Sequence, residues 1–145
     1  MNYTPDFGWY YVSADDRAPA WSSVEFFYDF MTENPTFRSQ NGGIGPFTTD
    51  VAREAVEIGD VIQFANRNGD WYHTVIISDF DGNEILVCAQ SDNALDRPLS
   101  SYRNAVGKRF LHLEGVRINI DDTACFDALI AGEVAPADME PDTAP

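Results

Sequence analysis

Three polar residues at the ends of two apolar runs could do acid–base chemistry in this chain. His73 stands near the start of the run 72–77, and Gln90 and Asp92 stand near the end of the run 85–92. A neutral imidazole can take a proton from a thiol or hydroxyl, and an oxygen atom that accepts its other N–H fixes its tautomer. We therefore take His73 as a candidate general base, with Gln90 or Asp92 as its orienting group.

The residues between the two runs predict a hairpin that brings these groups together. Asp81 and Gly82 are typical of a two-residue type I′ turn. If they form the turn, ladder pairing places His73 directly opposite Gln90. Directly opposed side chains are about 4.5–5.5 Å apart at their Cβ atoms, which is close enough for a hydrogen bond between them.

A second register is open to the same hairpin. If Gly82 and Asn83 form the turn instead, His73 faces Asp92. Both registers keep a polar group on the face of the histidine, because side chains alternate between the two faces of a strand. Cys88 would also share that face with His73.

Neither cysteine is expected to be a nucleophile. Cys88 lies in an apolar strand and is expected to be a small core residue, since a strand interior offers no pair of converging N–H donors to an oxyanion. Cys125 follows Asp121 and Asp122, which would cap a short helix over residues 121–131. The neighbouring carboxylates oppose a thiolate there, so a packed helix is the favoured interpretation.

Several segments in collinear order resemble one known family. They cover most of the chain between about residues 8 and 117, and they comprise residues 21–30, 59–64, 72–77, 85–92, 96–102 and 109–117. Each motif is weak alone, but their order is specific. Together they resemble the putative amidase domain family.

The resemblance implies a papain-like α+β hydrolase, related to CHAP and NlpC-type cell-wall peptidases, with an antiparallel sheet core and a packed N-terminal helix. In that group a cysteine at a helix N-terminus attacks an amide. His73 matches the family histidine, and Gln90 falls where the family's third polar residue, often a histidine, is expected. The substrate cleft would be bordered by four further residues: Trp71, Tyr72, Ser91 and Asn93.

The family's nucleophile lies in an Asp-Cys-Thr-Asn-Phe-type segment, and the helix that carries it is missing from these 145 residues. The thiolate is the attacking species, so the chain is expected to be inactive alone. It would act on peptide or other amide bonds when a separate segment or a protein partner supplies the cysteine. The alternative is a non-catalytic module that binds a peptide, a glycan or a protein. An uncovered apolar groove also favours homo-oligomers.

The elements that position these residues can be predicted from their patterns. Ser22 and Glu25 form a capping box for a helix that ends before Pro35. Residues 92–102 are predicted as a connecting loop, and His112 as a strand residue with a satisfied ring. The apolar stripe of the predicted helix comprises Val24, Phe26, Phe27 and Phe30.

Composition limits the function classes. Hydrophobic residues make up 44% of the chain, and its net charge is −15, which disfavours nucleic acid and anionic membranes as partners. Two histidines without ligand spacing predict no zinc site, and no cofactor is expected. We expect an amidase-like domain over residues 1–120, a helical extension over 121–131 and an acidic tail over 132–145. The chain as written would be cytoplasmic, or secreted or in the cell wall if an export signal precedes it.

Overall fold

The computed structural model describes residues 9, 11–33, 45–90 and 93–117. They form two helices and a six-stranded antiparallel sheet, which confirms the mixed α+β class; the papain-like arrangement stays a prediction. The predicted helix 121–131 and tail 132–145 lie outside the described residues. The elements are α1 (Pro19–Ser22), α2 (Val24–Glu33), β1 (Gly45–Val51), β2 (Val61–Ala65), β3 (Trp71–Asp81), β4 (Glu84–Ala89), β5 (Ala94–Pro98) and β6 (Gly107–Arg117).

The sheet has the strand order β1-β6-β2-β3-β4-β5, with every neighbouring pair antiparallel. Strand β2 lies between β6 and β3, and all five of its residues are buried. A continuous apolar run broken only by Gln63 suits such a strand, because both of its faces are covered. The described helices are too short to cross a membrane.

The two faces of the sheet can be told apart by cross-strand pairs. The helix face carries Gln63 and its partner Thr74, and Gln63 reaches the backbone of α2. The loop face carries Ile62 with its partner Val75. Two residues further along β2, Phe64 lies on the same face opposite His73. His73 therefore belongs to the loop face.

The main core lies on the loop face. Ile62, Phe64, Val75, Ile77, Ile85 and Val87 pack there with Leu99 and Ala105. Leu99 belongs to a 3₁₀ turn, Leu99–Ser101, which follows β5 and packs against β4. The prediction of a loop over residues 92–102 is thus wrong for residues 94–98, which pair with β4 as an edge strand that tolerates Pro98.

Helix α2 begins one residue later than the capping box predicts. Ser23, not Ser22, caps it, accepting from the backbone N–H of Phe26 at 3.4 Å. The helix ends at Glu33, before Pro35 as predicted. Phe30 and Met31 are buried against the sheet with Ala20 of α1, whereas Phe26 is exposed and does not belong to the packed stripe.

The hairpin between β3 and β4 follows the second of the two predicted registers at its turn. Asp81 pairs with Glu84, so Gly82 and Asn83 form the turn, and Gly82 has a φ of +62°. A bulge between Ile77 and Asp79 then shifts the ladder by one residue, and Ile76 pairs with Cys88.

The predicted pairings of His73 with Gln90 or Asp92 are therefore wrong, because a shift of one residue exchanges the faces of one strand relative to the other. The β3–β4 ladder ends at Ile76 and Cys88, two residues or more from both predicted pairs. Cys88 lies on the helix face with Ile76. His73 lies on the opposite face, with Val75.

The side chain of Gln63 attaches α2 to the centre of the sheet. It is fully buried, and its Nε2 donates to the carbonyl of Val24 and to the Thr74 hydroxyl, both at 3.1 Å. Its Oε1 accepts from Arg109 Nε at 2.7 Å. Because a buried amide costs free energy unless it is hydrogen-bonded, these three contacts specify where α2 sits.

Arg109 extends the same cluster. Its guanidinium lies between the rings of Tyr28 and Trp71, 3.7 and 4.1 Å from their centroids, and its Nη2 is 3.2 Å from Glu25 Oε2. The planar cation stacks on both aromatic faces. Tyr28 and Glu25 belong to α2, whereas Trp71 belongs to β3. The cluster thus ties the helix to two strands of the sheet.

We expect Gln63→Leu to lower the free energy of unfolding by about 2–3 kcal/mol, because it leaves the Arg109 guanidinium and the Val24 carbonyl without their buried partner. Urea denaturation measures the change. The double variant with Arg109→Met should lose clearly less than the sum of the two single losses, since the two residues share one interaction. Strictly additive losses would contradict the role of this contact.

Candidate functional site

His73 lies near the start of β3, beside three aromatic rings. Its ring is stacked near Tyr72, with an interplanar angle of 16°, and is tilted against Phe64 and Tyr102 at centroid distances of 5.9 and 6.2 Å. The side chain is half-buried. The aromatic surroundings limit the orientations of the imidazole.

His73 and Tyr72 line two cavities that adjoin at this point. The first, which we call the helix-side cavity, has a volume of about 460 Å³ and lies between the end of α1, the start of α2 and strands β3 and β4. The second, which we call the arginine cavity, has a volume of about 430 Å³. Besides His73 and Tyr72, it is lined by Arg97, Ser101, Tyr102, Arg103 and Asn104.

Among the described residues that line the helix-side cavity there is no Asp, Glu, Lys or Arg, although 23% of the chain is charged. Three large side chains on its wall are about half exposed: Trp21 at 48%, Tyr72 at 46% and Ile76 at 52%. Exposed apolar groups gathered in one concave region indicate a surface that another group covers.

The structure brings some of the predicted site residues together. Gln90 lines the helix-side cavity with His73 and Tyr72, so it can still act beside the histidine without being its cross-strand partner. Asn93 is exposed and lines neither cavity. Ser91 and Asp92 lie outside the described residues.

Trp71 has a different place from the one predicted. A second irregularity in β3 pairs Ala65 with Trp71 and Phe64 with His73, which leaves Tyr72 as the extra residue. Trp71 therefore lies on the helix face, where its ring stacks on Arg109, and it lines neither cavity. Its contacts are those of a packing residue.

Cys88 also borders the helix-side cavity, but from within β4. It is a half-buried, free cysteine paired with Ile76 in the ladder. It lies on the face opposite to that of His73, and its packing role stays a prediction. Cys125 lies outside the described residues.

Two serines at the start of α2 form a wall that the sequence analysis did not assign to the site. Ser22 and Ser23 line the helix-side cavity with Val24. Both hydroxyls already have structural partners, since Ser22 accepts from Arg17 Nε and Ser23 accepts from the N–H of Phe26. The two serines shape the cavity wall. The capping-box pattern in the sequence already places a serine at this helix start.

The second histidine of the chain, His112, is paired with Asp60. Asp60 is 3% exposed and accepts from the N–H groups of Glu57 and Leu113 at 2.8 and 3.0 Å. Its Oδ2 lies 2.9 Å from His112 Nδ1. His112 is a strand residue with a satisfied ring, as predicted, and it lines neither cavity. The pair fastens the β1–β2 connection to β6.

The hydrogen bond to Asp60 raises the pKa of His112 above its ordinary value, and the charges of Asp60, Glu57 and Glu114 add to the effect against the opposing effect of desolvation. Asp60 and Glu57 precede β2, whereas Glu114 belongs to β6. A pKa that is higher in the folded chain than in the unfolded one means that folding favours the protonated ring.

We expect the stability difference between the wild type and His112→Gln to depend on pH. The contribution of protonated His112 is fully present below its unfolded pKa of about 6.5 and is lost as the pH rises through the raised folded value. The destabilisation by the variant should thus be larger at a pH of about 5.5 than at about 9. Urea titrations at several pH values measure it.

Asp60→Asn supplies the matched control, because it removes the carboxylate that raises the pKa. In that background, His112→Gln should cost nearly the same stability at every pH. An undiminished pH dependence there would show that another group is responsible.

Three or more potential metal ligands gathered in one place do not occur among the described residues.

Comparison with known proteins gives one match. A family model described as a putative amidase domain matches residues 1–113, which include all the described strands except the end of β6. No curated protein and no solved structure matches the chain.

Proposed function

Because the chain belongs to the putative amidase domain family, we propose that it is the histidine-bearing part of a papain-like cysteine amidase. His73 is the general base of this site, and Gln90 assists it. The observation that carries the proposal is the helix-side cavity, where both residues border a concave surface whose described lining has no Asp, Glu, Lys or Arg and which is large enough for a peptide segment.

The chemistry follows from the position of His73. A cysteine thiol within hydrogen-bond distance gives its proton to the imidazole, and the thiolate attacks the amide carbonyl. The histidinium protonates the leaving amine as the C–N bond breaks, and the acyl group remains on sulfur as a thioester. A water molecule, deprotonated by the imidazole, then cleaves the C–S bond and releases the carboxylic acid and the thiol. Phe64 and Tyr72 restrict the ring by packing on it, so that less freedom is lost when the thiol approaches.

Gln90 assists in a way that its amide allows. Its carbonyl oxygen can accept an imidazole N–H and so hold one tautomer, but it carries no charge with which to stabilise an imidazolium. We therefore assign it the orienting role. Asp92 remains a second candidate for the same role.

The thiol comes from a segment outside these 145 residues, of the Asp-Cys-Thr-Asn-Phe type that the family resemblance implies. Cys88 is not its substitute, since it lies within β4 on the face opposite to that of His73. The exposed side chains of Trp21 and Ile76 offer the segment an apolar seat. Without the segment, the chain does not hydrolyse amides.

The substrates are amides, with cell-wall peptides as the class that the CHAP and NlpC resemblance favours. A second candidate function is a non-catalytic module that binds a peptide, a glycan or a protein in the same cavity. The observation in its favour is that the two serines and the one cysteine on the cavity wall all serve the packing of their own elements.

A thiol-reactivity experiment tests the proposal. The variant Cys88→Ala, Cys125→Ala is mixed with a peptide that contains Asp-Cys-Thr-Asn-Phe, so that the peptide holds the single thiol. We expect iodoacetamide to alkylate that thiol about fivefold faster at neutral pH than in the peptide alone, because pairing with an imidazole lowers a thiol pKa from about 8.5. Mass spectrometry measures the rate.

The two histidines of the chain provide a matched pair of variants. His73→Asn should remove the acceleration, whereas His112→Gln should keep it, once circular dichroism has shown that both are folded. Peptide that binds to the chain without any gain in reactivity would favour the non-catalytic module. Equal loss in both variants would contradict the role of His73.

A further inference from the structure

We propose that the arginine cavity binds a carboxylate group, held by Arg97 and Arg103 on the side of His73 away from the helices. The inference rests on the proposed function in one respect, because it places a free carboxylate on the substrate next to the amide at His73. The binding site itself is argued from the cavity alone.

The charges of the cavity favour an anion. Arg97 and Arg103 are two of the nine basic residues in a chain of net charge −15. None of the described residues that line the cavity is Asp or Glu. The ion pairs among the described residues are Arg109–Glu25 and His112–Asp60. Neither cavity arginine thus has a carboxylate partner in that part of the chain.

Arg97 is held in place by uncharged neighbours. Its Nε donates to the Ser101 hydroxyl at 2.8 Å, and its guanidinium lies 4.2 Å from the centroid of the Tyr102 ring. Both contacts leave its terminal N–H groups available, and a guanidinium presents these in a planar fork that matches a carboxylate. The half-buried side chain has already lost part of its hydration and freedom, which lowers the cost of binding.

The segment that carries Arg103 is fixed by its backbone. The N–H of Arg103 donates to the carbonyl of Ser101 at 3.0 Å, and that of Ala105 donates to Tyr102 at 3.1 Å. Leu99 and Ala105 anchor the segment in the main core, with exposures of 4% each. The cavity is thus formed in advance of any ligand.

The size and position of the cavity select the kind of carboxylate. Its volume of about 430 Å³ suits a group the size of an amino acid. Because it shares His73 and Tyr72 with the helix-side cavity, one molecule can place an amide at His73 and its carboxylate at the arginines. The ligand class is therefore a peptide or N-acyl amino acid whose terminal carboxylate lies near the amide that is cut.

The net charge of the chain favours a carboxylate over a more highly charged anion. A charge of −15 repels anions in general, so an anion that binds here does so through specific contacts. A doubly charged phosphate is repelled more than a singly charged carboxylate. The proposal therefore commits to a carboxylate, and inorganic phosphate becomes a comparison in the test.

The test measures binding to the full chain by NMR, without any thiol or turnover, so that its outcome is independent of amidase activity. We expect N-acetylglycine to cause saturable shifts in the signals of Tyr72, His73, Tyr102 and Arg103. The neutral isostere N-acetylglycinamide should bind at least about tenfold more weakly, since charge-assisted bonds to a carboxylate contribute about 1.5–3 kcal/mol. Inorganic phosphate should also bind more weakly, because its higher charge is repelled more strongly by the net charge of −15.

Matched variants identify the contacts. Arg97→Gln should weaken the binding of N-acetylglycine about tenfold, and the exposed Arg103→Gln should weaken it at least about threefold. Arg53→Gln makes the same change in net charge but lies in the connection between β1 and β2, so it should change the dissociation constant less than about twofold. If Arg97→Gln fails to fold, Arg103→Gln decides the question.

Three results would overturn the inference: no saturable shift, equal binding of the amide or of phosphate, or an equal effect of Arg53→Gln. Carboxylate binding that occurs without the gain in thiol reactivity described above would support the site and contradict the proposed amidase. The reverse combination would support the amidase and contradict the carboxylate site.

Discussion

The buried amide of Gln63 is the contact on which the arrangement of this domain depends. It links the first carbonyl of α2 to the middle of the sheet, and it takes up the Nε of Arg109 from the neighbouring strand. Since the N-terminus of α2 forms one wall of the helix-side cavity and β3 forms another, this single side chain sets the width of the candidate site. A hydrophobic residue of similar size would fill the space but would specify no position for the helix.

His73 lies where the two cavities meet, and the two cavities differ in the charge of their lining. On one side lies a wall without charged residues, and on the other lie two arginines without carboxylate partners in the described part of the chain. Such a division suits a ligand with an apolar part, a central amide and an anionic end. The chain as a whole has a net charge of −15. The positive charge of the two arginines is therefore a local feature of this site.

Local sequence patterns predict much of the fold and part of the site. The capping signal, the apolar runs and the glycine-containing turn predict α2, β2, β3 and β4 closely, because helix caps and strand periodicity are local properties. His73 and Tyr72 do border a cavity, and Gln90 borders it with them. The edge strand β5 was missed, because its five residues include Pro98 and little apolar alternation. The sequence does not predict the arginine cavity either, since only the fold brings Arg97 and Arg103 next to His73.

The sequence by itself determined the family, the α+β class and the presence of one histidine at the start of a strand beside aromatic residues. Only the tertiary structure decided which side chains share a face with that histidine. An unmarked serine, Ser78, forms the bulge that shifts the β3–β4 ladder by one residue, and such a shift moves every following side chain to the opposite face. No local sequence pattern predicts this bulge, because the packing on both faces of the sheet determines where it forms.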